Sequence, residues 1–174
     1  MATIYIFHGL GGNPQENWFP WLKQKLELLG HKVIIPSFPD SSHPQLKAWL
    51  QKVESFSFQN TVLIGHSLGV PFILNILEKK KEKAAFLVAG FCTPLGLSLD
   101  ELVKTFLSPF DYGKIKSNCA SFTLINSTDD PYITVAKAKE LAKNLNTHLT
   151  LLNNSGHFNQ KEFPFLLERI KELL

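Results

Sequence analysis

The chain has 174 residues, with 18 Lys and Arg against 15 Asp and Glu and a formal charge of +3, a mild excess that argues against nucleic acid as the main partner. At this length and with 44% hydrophobic residues, one domain over residues 1–174 with its own core is expected. The two cysteines, Cys92 and Cys119, form neither a C-x-x-C pair nor a zinc spacing, so neither a disulfide framework nor a metal site is expected.

The first element in chain order is a β-rich run, Thr3 to Phe7, followed by the glycine-rich turn "HGLGGNP" and the helical pattern "NWFPWLKQKLELLG" with its glycine stop. Nothing in this opening reads as a signal peptide, and no apolar run reaches the roughly 20 residues that span a bilayer. The cytoplasm is the expected compartment, with no membrane partner. A second strand, Lys32 to Pro36, precedes the helix pattern "HPQLKAWLQKVESF", and a third, Thr61 to Gly65, precedes "LGVPFILNILEKKK". The lysine run that closes this helix reads as a solvated end complementing the helix dipole.

Ala84 to Gly90 gives a fourth strand. The stretch Phe91 to Cys119 is irregular, longer than a usual connection, and is expected to carry short helices roofing the strand ends. Ser121 to Ser127 and Thr147 to Asn153 give the last two strands, each followed by a helix pattern, "TVAKAKELAKNLN" and "KEFPFLLERIKELL". Several strands are apolar on both faces, the habit of parallel sheets covered by helices. Alternation of strand and helix then predicts a doubly wound α/β sheet that binds ligands at the carboxyl ends of its strands.

Between the third strand and its helix stands Gly65-His66-Ser67-Leu68-Gly69, a G-x-S-x-G in the strand–turn–helix setting of a nucleophile elbow. Such a corner strains the residue at its tip and leaves no room for side chains two positions to either side. Alone, the motif also fits a glycine-flanked turn with a capping serine. A serine is inert at neutral pH without a base and a carboxylate to orient that base, and both follow in the required order. Asp129 and Asp130 come directly after the fifth strand, and His157 after the sixth, so all three groups emerge at one edge of the sheet. Asp130 begins a D-P-Y-I run that favours it as the acid, with Asp129 as the alternative.

An acyl-transfer site also needs donors for the tetrahedral oxyanion. The backbone N–H groups of Leu68, after the serine, and Leu10, in the glycine-rich turn, are the candidates. A dinucleotide reading of that turn fails because Pro14 stands where the third glycine of G-x-G-x-x-G is needed, so no cofactor is expected. His8 reads as a loop brace and His66 as an elbow neighbour. Trp18, Phe19 and Trp21 read first as core of the first helix, with Trp18 or Phe19 against an acyl pocket as the sharper option.

Together, "HGLGGNP", "NWFPWLKQKL", "IGHSLG", "STDDPYI" and "SGHFN" resemble the small serine hydrolases of the retinoblastoma-binding-protein-9 and YdeN family over most of the chain. The resemblance implies a minimal α/β-hydrolase without a large cap, six parallel strands in the order 2-1-3-4-5-6, and helices on both faces. It also implies Ser67 as nucleophile, Asp130 as acid and His157 as base. The L-x-C-x-E element associated with retinoblastoma binding is absent, so that partner role is not carried over. The expected activity is hydrolysis of a small ester, thioester or amide; the competing expectation is a non-catalytic binding protein on the same scaffold.

Overall fold

A computed structural model describes residues 1–58 and 60–174. The apolar runs become β1 (Thr3–Phe7), β2 (Lys32–Ile34), β3 (Val62–His66), β4 (Ala84–Val88), β5 (Phe122–Ser127) and β6 (Leu149–Leu152), all parallel, in the order β2-β1-β3-β4-β5-β6. Every residue of β3 and β4 is buried, whereas the edge strands β2 and β6 are only partly covered. That gradient matches the unbroken apolar run of β4 and the polar residues, Lys32 and Thr150, that stand in the edge strands.

Several strands stop short of their expected ends for local reasons. β2 ends at Ile34 rather than Pro36, since proline has no N–H to give a ladder. β4 ends at Val88 because Ala89 turns to φ +50°. β6 covers only Leu149–Leu152 of Thr147 to Asn153, β5 starts one residue late at Phe122, and β3 is displaced by one residue to include His66.

Among the described residues seven α-helices occur: α1 (Phe19–Leu28), α2 (Leu46–Lys52), α3 (Gly69–Leu77), α4 (Asp100–Val103), α5 (Tyr112–Ser117), α6 (Val135–Leu145) and α7 (Pro164–Leu173). They lie on both faces of the sheet, α1 packing with α7 in one layer and α3, α5 and α6 in the other. Helix α3 is buried at every position, as expected of a helix that is apolar all round. It stops at Leu77, so the lysines at 79–81 lie beyond its end rather than in its last turn. Helix α6 is capped in the regular way: the Thr134 hydroxyl accepts the Lys137 N–H, and Asn146 closes the helix in the left-handed region. None of these helices is long and apolar enough to cross a membrane.

The irregular stretch does carry short helices, α4, a 3-10 turn at Lys104–Phe106, and α5. Its first half lies over the carboxyl edge of the sheet, whereas α5 packs in the layer of α3 and α6 and Cys119 pairs with Glu82 just before β4. Buried Asn75 on α3 donates to the carbonyl of Phe106 at 3.0 Å, and the Asp100 carboxylate accepts the N–H groups of Leu95, Gly96 and Leu97. This roof is a tied-down loop with no separate core of its own.

Candidate active site

From Thr61 to Leu77 every residue is buried except Ser67. The exception follows from the turn: β3 passes into α3 so abruptly that Ser67 sits at φ +55°, a conformation costing a non-glycine residue about 1–2 kcal/mol. The flanking glycines make it possible. A Cβ on Gly65 would stand 2.7 Å from the Gly69 carbonyl oxygen, and one on Gly69 would collide with the carbonyl of Phe7. Gly9, at the end of β1, approaches from the other side; a Cβ there would lie 3.0 Å from the Ser67 Cβ.

Asp130 and His157, 27 residues apart, meet above the ends of β5 and β6. His157 Nδ1 lies 2.8 Å from Asp130 Oδ2, and the Asp130 side chain is wholly buried. Its other oxygen accepts the N–H groups of Tyr132 and Ile133 at 2.8 and 3.0 Å, so the carboxylate is held by three donors. It therefore orients the imidazole with Nδ1–H toward itself, so that Nε2 carries the ring's lone pair. The Tyr132 ring stands edge-on to His157 at 4.9 Å between centroids. Asp129 faces elsewhere: its Oδ1 accepts the Ser127 hydroxyl and the amides of Ser155 and Gly156. The Ser127 hydroxyl, followed by those amides, holds its carboxyl below the usual range. Asp129 thus ties the loop after β5 to the loop after β6, while Asp130 contacts the imidazole.

Ser67 and His157 line one cavity of about 540 Å³, together with Gly9, Leu10, Leu68 and residues of the roof. Among the described residues no protein acceptor takes the N–H of Leu10 or of Leu68. Both amides therefore keep a free donor on residues that line the cavity. Beneath the glycine-rich turn, buried His8 bonds the Gly9 carbonyl through Nδ1 at 3.0 Å and takes the Phe38 amide on Nε2 at 3.5 Å. Burial keeps His8 below its ordinary pKa, which suits an imidazole that must donate on one nitrogen and accept on the other.

His66 does more than neighbour the serine. Its Nε2–H donates to the carbonyl of His157 at 2.8 Å, and its ring lies 4.9 Å from the His157 ring. Burial, reinforced by nearby His157, pushes its pKa down to about 3, so it remains a neutral donor. Trp18 Nε1 donates to the next carbonyl, that of Phe158, at 3.1 Å. Two ring N–H groups therefore grip consecutive carbonyls of the loop that carries His157. Trp18 and Phe19 are fully buried and lie outside the cavity lining, so core packing, and not the acyl pocket, is their place.

His66 and Trp18 were visible in sequence only as neighbours of a motif, since a bond to a carbonyl 91 or 140 residues away leaves no local pattern. Cys92 and Cys119 are free and buried. Among the described residues no group of three His, Cys, Asp or Glu gathers as for a metal ion.

Comparison with known proteins bears on the whole chain. A family model described as serine hydrolase matches residues 4–173. The putative hydrolase YdeN of Bacillus subtilis (strain 168) is 33% identical over 168 residues, 91% of this chain and 87% of that protein. The serine hydrolase RBBP9 of Rattus norvegicus is 28% identical over 176 residues, 99% of this chain and 95% of that protein. The crystal structure of the ydeN gene product from B. subtilis matches with a TM-score of 0.92 at 29% identity, covering 99% of this chain and 98% of that one.

Proposed function

The chain belongs to the serine hydrolase family and has the α/β-hydrolase fold, and from that premise we propose that it is a carboxylesterase-like enzyme that cleaves small ester, thioester or amide substrates through an acyl-enzyme on Ser67. The observation that carries this reading is the 2.8 Å contact between Asp130 and His157 beside a cavity that also exposes the strained Ser67.

In this reading His157 Nε2 takes the hydroxyl proton as Ser67 Oγ attacks the substrate carbonyl carbon. The oxyanion that forms points between the N–H groups of Leu10 and Leu68, which need no side-chain chemistry to serve. Collapse of the tetrahedral species breaks the bond to the leaving group, which receives the proton from His157; water then repeats the sequence and returns the serine. Asp130 keeps the imidazole in the right tautomer and stabilises it when charged. Asp129 and the donors on 66 and 18 hold the loop on which the base sits.

Replacing Ser67 by alanine removes covalent labelling by a fluorophosphonate probe and hydrolysis of short nitrophenyl esters, with the thermal transition retained. Labelling that persists in the Ser67→Ala protein overturns the assignment.

A further inference from the structure

Resting on that reading, we propose that the substrate joins an apolar acyl group to a leaving group bearing a positive charge, and that the Glu16 carboxylate is the residue that selects for that charge. The cavity has two unlike walls. The roof contributes Phe91, Leu95, Leu99 and Val103, an apolar surface on the side of α3 to which Asn75 ties the roof. The rest of the lining includes a polar group: Glu16 and Asn17 from the turn before α1, and Asn159 two residues beyond His157.

Which wall takes which half of the substrate follows from the route of the proton. His157 must hand it to the departing atom, so the leaving group departs on the His157 side of Ser67. The Glu16 turn belongs to that side, because Trp18, two residues on, donates to the carbonyl of Phe158, and Lys161 of the same loop acts on Glu16 through space. The acyl chain then lies along the roof.

Glu16 is the one residue of Asp, Glu, Lys or Arg type in the cavity lining among the described residues. Its carboxylate folds back over Gly12, where a Cβ would collide with Oε1, so the glycine-rich turn makes room for it as well as for the oxyanion. Partial burial raises its pKa, with the Asn13 amide and exposed Lys161 pulling it back. A carboxylate short of solvation gains most from a cation placed beside it, and an anionic leaving group would be repelled. The cleavage itself is unchanged: Ser67 Oγ–C forms, C–O to the leaving alcohol breaks, that alcohol leaves with the proton, and water later releases the acid.

Three esters test the assignment: butanoylcholine, its uncharged isostere 3,3-dimethylbutyl butanoate, and the 3,3-dimethylbutyl ester of 4-aminobutanoic acid, which carries the charge on the acyl side. Wild-type protein is expected to favour butanoylcholine over the isostere by about tenfold or more in kcat/KM, the effect of one modest charge contact, and Glu16→Gln to bring that ratio to within about threefold. The ratio is taken within each protein, so partial loss of folded variant does not affect it. A wild-type ratio near one, a ratio that survives Glu16→Gln, or a Glu16-dependent preference for the aminobutanoyl ester instead each overturns the proposal. Turnover of none of the three while Ser67 still labels with fluorophosphonate overturns this substrate class and leaves the nucleophile standing; absence of labelling overturns both.

Discussion

At the carboxyl edge of the sheet the Asp130 side chain is wholly buried but accepts three hydrogen bonds, from His157 Nδ1 and the amides of Tyr132 and Ile133. At the amino edge Glu82, just before β4, is 6% exposed, and its Oε2 accepts only the Thr61 hydroxyl while buried Oε1 has no partner among the described residues. Burial pushes the Glu82 carboxyl up to about 7, against the pull of Thr61. Two carboxyl groups largely removed from water thus face different surroundings, because one accepts three hydrogen bonds and the other one. Donor supply differs between the two edges, and its shortage around Glu82 leaves a stability cost that varies with pH.

The largest expected effect tests the first half of that contrast. Asp130→Asn keeps the shape and removes the charge, so kcat/KM on a nitrophenyl ester is expected to fall by about 10³–10⁴, the scale seen when the orienting acid of such a triad loses its charge. Asp129→Asn, which loosens a loop tie but leaves the imidazole its partner, is expected to cost on the order of tenfold. Steady-state kinetics on both variants checks the order; equal losses would remove the distinction between the neighbouring aspartates.

A smaller loss is expected from the ring donors. His66→Phe or Trp18→Phe leaves the carbonyl of His157 or Phe158 without its donor, letting the His157 ring drift relative to Ser67. The expected drop is roughly 10- to 100-fold in kcat, because misplacement of a reacting group by about 1 Å reaches that size. KM stays near its wild-type value, and His66→Gln, which can still donate an N–H, recovers part of kcat. A KM rise with kcat intact would assign these residues to substrate binding instead. Because His66 is held neutral to about pH 3, its own titration contributes nothing to an acid-side fall of activity above that pH.

How much of this was legible in the sequence divides along the same line between local and long-range causes. The order of strands and helices could be read from runs such as Val62–His66 and Ala84–Val88, because burial on both faces demands consecutive apolar residues. The elbow at Ser67 was legible because its glycines answer a steric demand within five residues. The strand ends were less so: Ala89 reads as a good interior residue, and its φ of +50° is imposed by the turn toward the roof. The feature that sets Asp130 apart from Asp129 in the sequence is the following Pro131-Tyr132-Ile133, the segment whose amides at 132 and 133 bond Asp130. The place of Glu16 in the cavity left no signal at all, since one exposed-looking glutamate before a helix is ordinary until the loop from β6 is folded beside it.

The smallest expected effect tests the amino edge, and its sign follows from linkage. With its folded pKa raised to about 7 from an ordinary 4.5, Glu82 holds a proton in the folded protein over a range where the unfolded chain has released it. Stability from this group is therefore greatest below about pH 4.5, declines as pH rises toward 7, and is flat above it. Glu82→Gln keeps the neutral shape at every pH, so it is expected to change little at pH 5 and to stabilise the protein by on the order of 2 kcal/mol at pH 8. Urea unfolding of both proteins at the two pH values reads the effect as a difference between differences, which cancels the titration of the other groups. Turnover of a nitrophenyl ester at saturating substrate should not respond, because Glu82 precedes β4 at the amino edge of the sheet, away from the cavity lining. A stabilisation of the same size at pH 5 and pH 8 would mean that Glu82 is destabilising for its packing and not its charge, and the contrast between the two edges would then rest on Asp130 alone.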